Sequence, residues 1–139
     1  MRIDAAGFSR SERPFVAEIE TGIGVLDSPR ALLEDVAVLH ARYGYAVGDI
    51  DAVSIVLALP NVRVEYYRVI RDIEAVLNIR CRTITIGVLV VMLWNGSRID
   101  GFDENAFAIG EETINLADSL DIPDAKHTEP YPGAFTPAK

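Results

Sequence analysis

The run Ala52-Val53-Ser54-Ile55-Val56-Leu57-Ala58-Leu59 constrains this chain more than any other segment. Side chains alternate along a strand, and here both alternating sets are almost wholly apolar. Such a strand needs cover on both faces, which places it centrally in a sheet packed against helices. Pro60-Asn61 stops it and caps the next helix. A second run of the same character, Thr83 to Leu93, predicts another buried strand. At 139 residues, half of them apolar, the chain has the material for one domain with an ordinary core.

Helical spacing separates these strands. Ser28-Pro29 reads as an N-cap and a first helical residue. Leu32, Val36, Leu39 and Tyr43 come after it at spacings of 4, 3 and 4, a single inward stripe, and Gly44 ends the helix. Tyr66, Ile70, Ile73 and Leu77 repeat that spacing. Upstream, residues 2–8 and 14–21 read as antiparallel strands joined by a polar loop that ends at Arg13. Downstream, Asn95-Gly96 predicts a hairpin turn into residues 97–101, and Asp103 a helix to Leu120 with Phe107, Ile114 and Ala117 inward. The order β–β–α–β–α–β, then a hairpin strand and a helix, implies the α/β (α+β) class, a central mixed sheet flanked by helices. Residues 1–120 form the domain. Residues 121–139, rich in proline, read as an extended or disordered tail that offers a surface to another chain.

The net charge of −8 argues against tight nonspecific nucleic-acid binding. It leaves room for a local basic face, because Arg63, Arg68, Arg71, Arg80 and Arg82 lie close together. The plainer reading of these arginines is a solvated helix face with ion pairs such as Arg68–Asp72. Cys81 is the only cysteine, so no internal disulfide and no cysteine-based zinc site is expected. It sits at a strand entrance between two arginines, which would lower its pKa. The apolar run ending at Trp94 is about half as long as a membrane-crossing helix. No basic segment followed by an apolar core opens the chain, so the expectation is a soluble cytoplasmic protein without a membrane partner. His40, Glu34 and Asp35 on the first helix read as surface groups, and Asp49 and Asp51 as ordinary loop acids.

The two strands of the opening hairpin carry three acids. Asp4 lies on the first strand, and Glu18 and Glu20, two apart, share one face of the second. Carboxylates on one face of an otherwise apolar strand destabilise it unless they are compensated, and a divalent cation is the usual compensation. The competing reading is the charged solvent face of an edge strand.

The phrase Val16-Ala17-Glu18-Ile19-Glu20-Thr21-Gly22, with Asp4 before it, resembles the PD-(D/E)XK nuclease superfamily, the restriction-endonuclease-like fold. There an Asp lies on one strand of a hairpin, an acid-x-Lys on the next, and a helix, strand, helix and strand come after. Asp4 matches the Asp and Glu18 the first acid of the second motif, while Glu20 stands where Lys is usual. Over roughly residues 1–94 the resemblance implies a restriction-endonuclease-like core and a metal-dependent nuclease acting on DNA. Asp4, Glu18 and Glu20 would be its catalytic and metal-binding residues, and Mg²⁺ or Mn²⁺ its cofactor. Family members normally place a helix and a strand before the Asp strand. A partner chain, as in a homodimer, or the C-terminal helix would fill that edge here, or the fold is a reduced version. Replacement of Lys by Glu20 leaves a second function open, a catalytically inactive nuclease-like domain serving as an assembly or regulatory module. A third reading is a small-molecule-binding domain with its pocket at the carboxyl ends of the central strands.

Overall fold

In a computed structural model of the chain, the residues described are 3–9, 11–22, 26–61, 65–94 and 96. Strands β1 (Ala5–Phe8) and β2 (Pro14–Glu20) form the opening hairpin. Helix α1 (Ser28–Tyr43) and a short 3-10 turn (Val47–Asp49) lead to β3 (Asp51–Val56). Helix α2 (Tyr66–Leu77), β4 (Cys81–Thr85) and helix α3 (Ile86–Trp94) complete the order. Among the described residues the fold is therefore of the α/β (α+β) class, a mixed four-stranded sheet with three helices.

The sheet runs β1-β2-β3-β4. The first pair is antiparallel, with Ala5 opposite Ala17 and Phe8 opposite Pro14. The next two pairs are parallel, with Glu18 level with Ser54 and Ser54 level with Thr83. Each parallel step needs a crossover, and α1 and α2 supply them. Both crossovers advance in the same direction, so a common hand places both helices on one face. Two hydrogen bonds fix that face. Ser54 Oγ on β3 donates to Ser28 Oγ at the start of α1 (2.9 Å), and Tyr66 Oη on α2 pairs with Thr83 Oγ1 on β4 (2.7 Å). Val16, Ala52, Val56, Cys81 and Thr85 share this face with them and are buried under Leu32, Val36, Leu39, Tyr67, Ile70 and Ile73.

Several sequence expectations are corrected. Thr83–Leu93 is not one strand: β4 ends at Thr85, whose Oγ1 accepts the Val88 N–H (3.1 Å) and starts α3. The apolar run does not itself choose between strand and helix, and the capping hydroxyl does. Ser28 is not the N-cap of α1. Its hydroxyl turns inward to Ser54, and Asp27 takes the cap position without a side-chain hydrogen bond. Asn61 does not cap α2, because that helix begins at Tyr66 after Glu65. The stripe of α1 ends early, since Tyr43 is exposed. A 16-residue helix spans about 24 Å while the 6-residue β3 beneath it spans about 20 Å, so the last turn overhangs the sheet. Leu77, the last stripe position of α2, is likewise half-exposed in the final turn. Gly44 does end α1, in the left-handed region at φ 76°, and its N–H closes the helix onto His40 O. The predicted 97–101 strand, the 103–120 helix and the 121–139 tail lie outside the described residues.

Candidate functional site

The hairpin brings Asp4 to β2. Asp4 immediately precedes β1, one residue before the Ala5–Ala17 pair that opens the ladder, while Glu18 follows Ala17 on β2. The Asp4 carboxylate turns onto the neighbouring strand, where Oδ2 accepts the Ile19 N–H at 3.1 Å. Glu18 shares the register row of Ser54 and Thr83, so it projects toward the helix-covered face and is half-buried. Glu20, two residues on, lies on the same face, and its Oε1 accepts the Gly22 N–H at 2.9 Å. The sequence-predicted acids thus divide: Asp4 and Glu18 stand side by side across the hairpin, and Glu20 is held against its own succeeding loop. Among the described residues, no three His, Cys, Asp or Glu side chains converge into a preformed metal cage. A cation here would meet two carboxylates, the number by which Mg²⁺ is commonly held alongside several waters.

Asp35 is the acid that sequence reasoning misplaced. Expected on the solvated side of α1, it is 2% exposed. Position 35 is three residues after Leu32 and four before Leu39, which puts it on the inward face of the helix whatever its chemistry. Burial pushes its carboxyl pKa up from the usual 3.8, and the charges of Asp4 and then Glu34 push the same way.

The loop acids also separate. Asp49 is exposed, whereas Asp51 is buried and serves as an arginine clamp. Arg13 donates to it through Nε (3.3 Å) and Nη2 (3.1 Å), and Arg80 through Nη2 (2.9 Å). This ties the hairpin loop to the starts of β3 and β4 at the end of the sheet opposite Glu20. Arg82, expected on a solvated face, is buried and pairs with Glu74 at 2.9 Å, while Arg68 pairs with Glu65 at 3.9 Å. Cys81 is buried, and desolvation pushes its thiol up to about 12 against the opposing effect of Arg82. His40 is a surface histidine whose Nδ1 meets Tyr45 O at 2.7 Å.

A cleft of ≈ 180 Å³ opens between the starts of α1 and α2, lined by Leu26, Pro29, Glu65, Tyr66 and Val69. It lies at the carboxyl ends of the parallel strands, where open α/β sheets commonly hold ligands. No helix among the described residues is long and apolar enough to cross a membrane. No protein-family model matches the chain, and no match was found among curated proteins or solved structures.

Proposed function

We propose that this chain is a divalent-cation-dependent nuclease built on a restriction-endonuclease-like core, with Asp4 and Glu18 as the cation-binding pair. The observation that carries the reading is the Asp4–Ile19 hydrogen bond, which pins the Asp4 carboxylate beside Glu18 on an antiparallel hairpin that leads into two parallel crossovers. Asp4 and Glu18 would hold Mg²⁺ or Mn²⁺, which would supply charge stabilisation at phosphorus and water activation. Glu20, with Oε1 held by the Gly22 amide, keeps Oε2 able to accept a proton. It occupies the place of the family's Lys and brings the opposite charge, so this site depends on the cation more heavily than a Lys-bearing one.

The test is incubation with single- and double-stranded DNA in Mg²⁺ or Mn²⁺. Cation-dependent cleavage is expected, falling at least about 100-fold in Glu18→Ala, since an interaction needed by the reacting centre is removed. Absence of cleavage, together with no cation-induced change in melting temperature, overturns the proposal. The second reading, a non-catalytic module with this fold, is favoured by one observation: the Glu20 carboxylate is already engaged by the Gly22 amide. It predicts an oligomer that is lost on deletion of residues 121–139, read by size-exclusion chromatography.

A further inference from the structure

Strand β1 forms one edge of the sheet, and the direction of its main-chain groups can be worked out residue by residue. Ser9 donates its N–H to Arg13 O at 2.8 Å, which extends the register in which Gly7 faces Phe15 and Ala5 faces Ala17. Hydrogen-bonded and non-hydrogen-bonded pairs alternate along an antiparallel ladder. Ala5 and Gly7 therefore turn their N–H and C=O groups toward β2, and Ala6 and Phe8 turn theirs outward. Among the described residues no strand lies beyond β1 to meet them. The other edge strand differs, since β4 is buried at all five positions whereas β1 alternates between half-buried and exposed. Edges are ordinarily guarded by a charge, a proline or a bulge. Ala5-Ala6-Gly7-Phe8 has no charge and no proline, and its register with β2 is unbroken.

We infer that β1 pairs antiparallel with β1 of a second copy of this chain, about a two-fold axis at Gly7. A two-fold contact requires a patch that complements itself. With Gly7 on the axis, Ala6 lies opposite Phe8 of the second copy, and Phe8 opposite its Ala6. These are the two residues whose main-chain groups point outward, so about four hydrogen bonds form. Their side chains share one face of the strand, and both are exposed, Phe8 by 62%. Each ring then covers the other copy's alanine methyl. Tyr45 meets the Phe8 ring edge-on with centroids 6.0 Å apart, so the ring is held before pairing. An axis at Ala6 would instead set Asp4 against Phe8, and an axis at Phe8 would leave Ala6 with no partner inside the strand. On the opposite face the Phe15 ring lies over Gly7, where a Cβ would come within 3.1 Å of its Cε1. Gly7 faces its own copy across a non-hydrogen-bonded pair with Cα atoms about 4.5 Å apart. The two Phe15 rings thus flank the axis. Any exposed strand satisfies the main-chain groups; the reciprocal fit of Phe8 to Ala6 singles out a second copy. The chain's charge of −8 opposes association in general, and this uncharged strand sets no like charges opposite each other. The inference is independent of the cation pair.

Sedimentation equilibrium of the full chain, from about 10 μM to about 1 mM, tests it, because so short an edge gives a weak contact. A reversible rise in mass toward that of two copies is expected. Ala6→Pro removes an outward N–H and leaves the bonds to β2 intact, and Ala6→Lys puts like charges into the contact. Each is expected to weaken the dimer at least about tenfold while circular dichroism and melting temperature show the fold retained. Ala6→Lys decides alone should the proline variant not fold. Trp94→Lys, at an exposed aromatic on α3, is expected to leave the dimer unchanged. A monomer throughout the range, or a mass that grows past two copies, overturns the inference. A dimer untouched by both Ala6 variants, or one dissociated by Trp94→Lys, overturns it too, since another surface then makes the contact.

Discussion

At the scale of single residues, burial decides which acids carry consequences. Asp35 has its folded-state pKa raised by burial, Asp4 and Glu34, whereas its unfolded value stays near 3.8. The native state then holds a proton that the unfolded chain releases. Stability contributed by the neutral acid is present below the unfolded value and is lost as pH rises through the folded value. Urea unfolding across a pH series is expected to show wild type losing stability relative to Asp35→Asn as pH climbs from about 4 toward neutrality. Parallel curves would show that Asp35 ionises as freely in the fold as out of it. The same residue marks the limit of legibility. Its spacing from Leu32 and Leu39 is readable as inward, but residue type alone assigns an acid to water. Glu18 and Glu20 are legible as strand acids, because alternation alone puts them on one face, whereas Asp4, expected on the first strand, sits one residue before β1. That Glu20 bonds the Gly22 amide is not legible, since it depends on how the chain leaves β2.

At the scale of elements, a row of hydroxyls joins helices to strands. Ser28 links α1 to β3 through Ser54, and Tyr66 links α2 to β4 through Thr83. Burial pushes the Tyr66 phenol pKa up, so the hydroxyl stays neutral and able to donate. Tyr66→Phe is expected to cost about 1–2 kcal/mol of stability, because Thr83 is left buried with one partner fewer. Thermal or urea unfolding checks this, and no change would mean that Thr83 is satisfied elsewhere. Helix α1 and strand β3 are legible from stripe, cap glycine and two-sided apolarity. The switch from β4 to α3 is not, because Thr85 reads equally well as a strand residue until its hydroxyl meets the Val88 amide.

At the scale of the molecule, the order of elements is legible as far as β4, and their pairing is a consequence of it. A hairpin succeeded by two crossovers of one hand yields the order β1-β2-β3-β4 with α1 and α2 on a common face. That arrangement leaves one cluster whose members no local segment unites. Arg13 reaches Asp51 across 38 residues, and Arg80 across 29. The clamp closes only when the hairpin loop and the starts of β3 and β4 have met, after both crossovers have formed. Its contribution belongs to the late side of the folding barrier. In stopped-flow measurements, Arg13→Ala is expected to quicken unfolding while folding proceeds at nearly the wild-type rate. The clamp would then act as a latch, setting how long a folded molecule lasts rather than how soon it arises.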